Sequence, residues 1–228
     1  MHRLASIPGG GAAADIGALV EQPAAPVLLL SSADTDLLAI DQLLEREPQL
    51  LTAELRGLNL AALAHPAQID HYLNSTVRHA RLVVVRLLGG RGHWSYGLEQ
   101  LQNWAGLAPG RQLLVLAGTA DEEQVLAGLG TVNPELAIGL ARCLREGGSA
   151  NLRPLLRALH GLLDGRSQAP PRAEPLPDPL AHDLHQAKLP LVGVFAYRDL
   201  LPAGDLPWTD VTSLAPRQLR LGPRALVV

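Results

Sequence analysis

The chain has 228 residues, 47% of them hydrophobic, and a formal net charge of -3. This length and apolar content predict a globular protein with one large domain or a domain and a half. Because the basic residues are scattered and outnumbered by acidic ones, the sequence disfavours binding to nucleic acid or to an anionic membrane. Lys188 is the single lysine, which excludes P-loop ATP hydrolysis and Schiff-base chemistry that need a lysine elsewhere.

Cysteine content and hydropathy predict the compartment. Cys143 is the lone cysteine and therefore cannot form an intramolecular disulfide, and no apolar run of signal-peptide length follows Met1. No apolar run approaches the roughly 20 residues that a membrane span requires. These features predict a cytoplasmic protein without a membrane span.

The first part of the chain predicts a βα unit. Residues 1–25 are rich in glycine and alanine and have no periodicity, which is typical of a flexible lead-in. A strand is predicted over residues 26–30, and Asp34 is the expected N-cap of the helix that follows. The apolar face of that helix is predicted to contain Leu37, Ile40 and Leu44.

The next segments repeat this alternation. A short strand is predicted around residues 53–58, although charges at Glu54 and Arg56 weaken the pattern. Pro66 suits the first turn of a helix, whose buried stripe is predicted to contain Ile69, Leu73, Thr76, Val77 and Ala80.

A central strand and a fourth strand complete the pattern. The apolar run at residues 81–88 predicts a strand buried on both faces, and a helix is predicted over residues 94–105. Residues 112–116 predict the fourth parallel strand. The expected class is therefore α/β, with a Rossmann-like or flavodoxin-like parallel sheet between helices.

Two further helices predict a hairpin that packs on the sheet domain. Asn133 is the expected cap of the first, with Pro134 at its first position, and Gly147 and Gly148 are expected to end it. Asn151 is the expected cap of the second, because this places Pro154 in the first turn. The α/β domain is thus predicted to span residues 26–165.

Composition changes after this hairpin. Five of the eleven residues from Ala169 to Pro179 are proline, so residues 166–188 are predicted to be a semi-rigid linker. Residues 189–197 are predicted to form a strand that opens a second αβ region over residues 189–228. Prolines and the lack of an apolar stripe after Asp205 suggest a truncated or frameshifted end, so we expect poor packing from about residue 198.

Arg86 is the leading candidate for ligand binding because it interrupts the buried central strand. An unpaired buried charge is costly, and a guanidinium suits a carboxylate ligand. The alternative, which we favour, is an internal salt bridge to Asp70 or Glu99, or a strand end that reaches solvent.

The loop after this strand supplies the other candidate site residues. Gly89 and Gly90 permit a positive φ and close backbone approach, although a tight turn explains them equally well. His93, Trp94 and Tyr96 place an imidazole and two aromatic rings where they could face a macrocycle or another domain, with core packing the favoured role for Trp94. The remaining candidate in this segment is Glu99.

Other residues give weaker signals. His182 and His185 have three-residue spacing, but a metal site needs more ligands than this pair supplies. Cys143 is expected to be an inert core thiol. No HExxH, CxxC or Gly-x-Gly-x-x-Gly after a strand is present, so hydrolase, zinc and nucleotide- or flavin-binding interpretations come last.

The segment VVVRLLGGRGHWSYGLEQL resembles the VVRLLGG-x-x-x-W-x-Y-G-x-E-Q-L segment near the amino terminus of the aerobic cobaltochelatase large subunit. The family also includes the magnesium chelatase large subunit. MHRLASIPGG, EQPAAPVLLLSSADTDL and EGGSANLRPLLRAL also resemble that subunit. The resemblance covers about residues 1–205, which is only the front of a subunit several times longer.

This resemblance implies a role in cobalamin biosynthesis. The full subunit would insert cobalt(II) into hydrogenobyrinic acid a,c-diamide, with an AAA+ ATPase subunit and its companion subunit hydrolysing ATP with Mg. No cofactor or catalytic residue is expected in this region, which should not chelate metal alone. Two alternatives remain: a magnesium chelatase large-subunit fragment, or a non-catalytic module that binds a tetrapyrrole or a partner.

Overall fold

The computed structural model describes residues 19–166 and 168–175, together with the backbone of three short strands further along the chain. The predicted lead-in at residues 1–25 lies mostly outside these residues.

A four-stranded parallel sheet forms the centre of the described fold, as the alternation of apolar segments predicts. Its strands are β1 (Val27–Ser31), β2 (Leu55–Asn59), β3 (Leu82–Leu87) and β4 (Gln112–Ala117), in the order β2-β1-β3-β4. Leu29 is paired with Gly57 on one side and with Val84 on the other. The α/β class and the parallel sheet are therefore confirmed.

Six α-helices accompany the sheet in the described residues. They are α1 (Asp34–Arg46), α2 (Pro66–Ser75), α3 (Ser95–Gly106), α4 (Glu123–Ala127), α5 (Pro134–Glu146) and α6 (Gly148–Leu163). Short 3-10 turns lie at Pro48–Leu50, Leu60–Leu63, Val77–His79 and Arg91–Trp94.

Alternation along the strands divides the apolar core into two layers. Side chains such as Leu29 and Val84 face α1, α5 and α6, whereas Leu28 and Val85 face α2 and α3. All four are at most 1% exposed, as expected for a parallel sheet covered on both faces. The α5–α6 hairpin packs on the first face, as the sequence predicts.

Three helix boundaries differ from the predictions. The N-cap of α1 is Ala33, so Asp34 is the first helical residue, and its carboxylate accepts a hydrogen bond from Asn59 Nδ2 at 2.6 Å. The helix at Pro66 ends at Ser75; of the rest of its predicted stripe, Val77 belongs to the following 3-10 turn, and Thr76 and Ala80 flank that turn. The prediction that Asn151 caps α6 was wrong, because the N-cap is Gly147, with φ of 69°, and Asn151 lies inside the first turns of the helix.

Asn151 instead fastens the start of the predicted linker to α6. Its Nδ2 donates to the carbonyls of Gly147 and Glu174, and its Oδ1 accepts from Glu174 N, all at 2.8 Å. Gly139 of α5 lies so close to this segment that a Cβ there would be 2.9 Å from the Pro171 carbonyl oxygen. Residues 168–175 therefore lie along the hairpin, while the predicted domain boundary stays a prediction.

The three later strands form a second small sheet. β5 (Leu180–His182) pairs antiparallel with β6 (Val194–Ala196) and with β7 (Trp208–Thr209). His182 thus ends a strand, whereas His185 lies outside the described residues. Most of the chain beyond residue 197 also lies outside them, so the expectations about a second αβ region and a poorly packed end stay predictions.

In the part of the chain that the structure describes, no helix is both long and apolar enough to cross a membrane.

Candidate functional site

The candidate site lies at the carboxyl edge of the sheet between β1 and β3. The strand order reverses there, since the chain moves from β1 to β2 on one side and later places β3 on the other. In open α/β sheets, the crevice at such a switch point is the usual ligand position. Both flanking strands end in polar residues: Ser31 is the last residue of β1 and Ser32 follows it, and Arg86 lies near the end of β3.

Arg86 forms a buried ion pair with Asp36 in the first turn of α1. Its Nη1 donates to Asp36 Oδ1, while Ser31 Oγ donates to Asp36 Oδ2 at 2.5 Å. Both charged residues are only 7% exposed, so each depends on the other for compensation. An internal salt bridge was the favoured interpretation of Arg86, but its expected partners, Asp70 and Glu99, were wrong.

The pairing has a simple geometric cause. Residues two apart in a strand point to the same face of the sheet, so Arg86 lies on the same face as Leu82 and Val84. The side chains of that face pack toward α1, α5 and α6. Asp70 bonds instead to Tyr96, which packs beside the core layer on the opposite face.

A cleft opens beside this ion pair. The loop after β1, the end of β3, the end of α5 and the start of α6 line it with Ala33, Thr35, Asp36, Ala39, Arg86, Leu88, Leu144, Arg145, Gly147, Gly148 and Leu152. Its volume is about 170 Å³. A cleft of this size accommodates a small polar group rather than a whole macrocycle.

Arg145 supplies the second cation of the cleft. Its Nη2 lies 2.6 Å from Glu123 Oε1, and Arg142 Nη2 donates to Glu123 Oε2 at 3.0 Å. Burial by itself raises the pKa of Glu123, but the hydrogen bonds from the two arginines outweigh it, and the pKa lies below its ordinary value. Glu123 is therefore a carboxylate that two arginines share.

The glycine loop after β3 is built as predicted for a tight turn. Gly89 and Gly90 have φ of 102° and 76°, which L side chains rarely adopt. A Cβ at Gly90 would lie 2.1 Å from the carboxylate of Glu122, which accepts a hydrogen bond from Arg91 N at 3.1 Å. His93 packs against Gly89, and its buried Nε2 has no hydrogen-bond partner in the described part of the chain.

Trp94 belongs to the core, as favoured from the sequence. It is 5% exposed, and its Nε1 donates to the Leu63 carbonyl at 3.0 Å. The ring leaves no room at Gly97, where a Cβ would lie 2.2 Å from it. This explains the Trp-x-x-Gly spacing by packing alone.

Tyr96 and Glu99 lie on the outer side of α3. Tyr96 Oη donates to Asp70 Oδ1 at 2.7 Å, and this hydrogen bond is the largest of the effects that raise the pKa of the phenol. Glu99 is exposed. The structure therefore separates the predicted site residues, with Arg86 on one face of the sheet and His93, Trp94 and Tyr96 on the other.

Cys143 is buried in the α1, α5 and α6 layer, and burial raises the pKa of its thiol to about 11, as expected for an inert core cysteine. Within the described residues, no group of three or more His, Cys, Asp or Glu side chains is placed to hold a metal ion.

Sequence reasoning missed Asp36 and Arg145. Asp36 was hidden in an acidic first helical turn, and Arg145 in an amphipathic helix pattern where charges are ordinary. The one signal for Asp36 was its position just after the first strand of a parallel sheet, where it meets the carboxyl end of the neighbouring strand.

Two curated proteins are similar to this chain. "Aerobic cobaltochelatase subunit CobN" of Pseudomonas aeruginosa is 31% identical over 218 residues, which cover 90% of this chain and 17% of that protein. The protein of the same name from Sinorhizobium sp is 35% identical over 171 residues, covering 75% of this chain and 13% of its own length. The chain thus spans less than a fifth of either relative.

A solved structure, "Catalytic Subunit of Cobaltochelatase from Mycobacterium tuberculosis", is 28% identical to this chain. The superposition covers 69% of this chain and 12% of that one, with a TM-score of 0.47. No family model matches the chain.

Proposed function

We propose that this chain is the N-terminal domain of a metal-inserting subunit. The chain belongs to the family of the aerobic cobaltochelatase subunit CobN and corresponds to its N-terminal region. The observation that carries the proposal is the 31% identity over 218 residues. The reaction of the complete subunit would be insertion of cobalt(II) into hydrogenobyrinic acid a,c-diamide during cobalamin biosynthesis in the cytoplasm.

In this proposal the chemistry of metal insertion belongs to other parts of the subunit. The match to the relatives covers only 17% and 13% of their lengths, which favours an auxiliary role for this region. ATP would be hydrolysed with Mg by an AAA+ partner subunit and its companion, since this chain has no P-loop and its single lysine is Lys188.

The candidate residues then have binding or positioning roles. Arg86 is proposed to contribute to a substrate-facing cleft, and the loop at Gly89, Gly90 and His93 to contact another domain of the subunit. Tyr96 and Glu99 lie on the same side as that loop and would extend the contact, while Trp94 holds the loop in place through the core.

A chimera tests this function. Residues 1–205 replace the matching region of the Pseudomonas aeruginosa subunit, and cobalt insertion is measured with the purified partner subunits and ATP. We expect the chimera to insert cobalt, whereas this chain alone should insert none. An unrelated α/β domain of the same length is the control and should abolish insertion.

Two results would contradict the proposal. One is a chimera that folds and binds its partners but inserts no cobalt. The other is cobalt insertion by this chain alone, which would place the chemistry within it. Equal or faster insertion of magnesium into a protoporphyrin would instead favour the magnesium chelatase alternative.

A further inference from the structure

The cleft at the carboxyl edge contains more cationic donors than the described protein groups satisfy. A guanidinium has five N–H donors, yet the described hydrogen bonds of Arg86 go to Asp36 alone. Its Nε is buried and has no partner among the described residues. The side chain is 9% exposed and is one of the residues that line the cleft.

Arg145, which lines the same cleft, repeats this feature. Its Nη1 is also buried without a hydrogen-bond partner among the described residues, although Nη2 pairs with Glu123. Neither this atom nor Arg86 Nε is exposed to solvent in the present side-chain positions. A bound acceptor toward which the two guanidinium groups turn would satisfy both.

The charges around the cleft favour a monoanion. The charged residues that line the cleft are Arg86, Arg145 and Asp36, which leaves one positive charge in excess. Glu123, which pairs with Arg145 from outside the lining, is also paired with Arg142. A single carboxylate balances that excess. A phosphate dianion would overcompensate it and would lie beside the acidic first turn of α1, which contains Asp34 and Asp36.

The start of α6 adds to the attraction. Gly147 and Gly148 line the cleft with φ of 69° and 74°, and Gly147, the N-cap residue, has no side chain that could cap the helix. No acidic residue lies in its first turn, so the positive end of a 16-residue helix is directed toward the same space.

We propose that this cleft binds the carboxylate of a small-molecule ligand, held between Arg86 and Arg145 at the amino end of α6. The volume of about 170 Å³ admits a carboxylate-bearing arm while the body of the ligand stays outside. That the ligand is the corrin substrate, through an unamidated side chain, rests on the proposed function.

Arginine and glycine resonances of the full chain provide the direct test. The ¹⁵N-labelled protein is titrated with acetate, with hydrogenobyrinic acid a,c-diamide and with its fully methyl-esterified derivative, using chloride at matched ionic strength as a blank. We expect saturable shifts of the Arg86 and Arg145 Nε–H signals and of the Gly148 amide with both carboxylates. The ester and chloride should leave these signals unchanged.

Matched variants identify the residue that binds. Arg142 and Arg145 both belong to α5 and both pair with Glu123, but only Arg145 lines the cleft. Arg145→Gln and Arg142→Gln therefore each remove one guanidinium from Glu123. We expect Arg145→Gln to weaken acetate binding about tenfold or more and Arg142→Gln to weaken it far less. Ala39→Glu places a competing carboxylate in the cleft. We expect it to abolish acetate binding although both arginines are still present in the sequence.

The outcomes separate this inference from the proposed function. The site would be overturned if neither acetate nor the corrin acid produced a saturable shift. Equal losses of acetate affinity in the two arginine variants would also overturn it. Tighter binding of phosphate than of acetate would overturn its assignment to carboxylates. Binding of acetate without binding of the corrin acid would support the site and reject the corrin as its ligand.

Discussion

Two polar corners lie at the carboxyl edge of the sheet, one on each face, and they are built from opposite kinds of sequence. The first joins Arg86 to Asp36, which are 50 residues apart, and has a cleft beside it. The second is one continuous segment from Gly89 to Glu99, dense in glycine and aromatic residues. In the second corner, Trp94 packs in the core, the glycines turn the chain, and the one buried unpaired atom described there is His93 Nε2. The first corner contains a buried ion pair and unpaired guanidinium N–H groups. A conspicuous motif and a charged cleft are therefore separable features of the same strand end.

The largest expected effect is at the first corner. Asp36→Ala leaves Arg86 buried without compensation, and we expect a loss of about 3–5 kcal/mol in the free energy of unfolding, measured by urea denaturation. Replacing Asp36 and Arg86 together by leucine should recover most of that loss, because no charge then remains buried. A loss below about 1 kcal/mol for Asp36→Ala would mean that the pair is not a buried ion pair in solution.

In the second corner, we expect stability to depend on side-chain volume and not on charge. Gly97→Ala places a Cβ against the Trp94 ring, and we expect a loss of about 1–3 kcal/mol in the free energy of unfolding. Gly106→Ala at the end of the same helix is the control, because no described atom lies within 4 Å of the position that its Cβ would take. It should be neutral or stabilising by up to about 1 kcal/mol, and equal losses in the two variants would argue against the packing explanation.

Acid should weaken the first corner through Glu123. The pKa of Glu123 is lower in the folded protein than its ordinary value of 4.5. Its ionised carboxylate therefore stabilises the fold at pH values above 4.5, and this stabilisation is lost as the pH falls through the folded pKa. Glu123→Gln should therefore flatten the fall in unfolding free energy below pH 4.5. Glu45→Gln, on the exposed side of α1, is the comparison, and an identical acid profile in both variants would disprove the assignment.

The smallest expected effect is at the rim of the second corner. Tyr96 should ionise above its ordinary pKa of 10.0, since its hydroxyl donates to Asp70 and burial and nearby carboxylates act in the same direction. Asp70→Asn should lower that pKa toward 10.0, as measured from the tyrosine ring carbons by NMR. An unchanged Tyr96 titration would place the hydroxyl away from Asp70, and the substitution should not alter the urea midpoint measurably.

Sequence patterns predicted most of the framework because its determinants are local. The runs at β1, β3 and β4 are apolar enough to require burial on both faces, and Asn133 with Pro134 specifies the start of α5 within two residues. The start of α6 was misplaced because Gly147 and Gly148, expected only to end one helix, also begin the next. Asn151 and Pro154 looked like starting signals, but Pro154 lies inside the helix and Asn151 bonds to Gly147 and Glu174 instead.

By itself the sequence determined the class of fold, the parallel alternation and the kinship, because hydrophobic period, capping residues and a continuous motif are properties of neighbouring residues. Only the tertiary structure decided the partner of Arg86, the separation of Arg86 from His93 and Tyr96, and the presence of Arg86 and Arg145 in the lining of one cleft. Those outcomes depend on strand order and on the face toward which each side chain points. Residues 50 or more apart in the chain become neighbours only after the sheet has assembled.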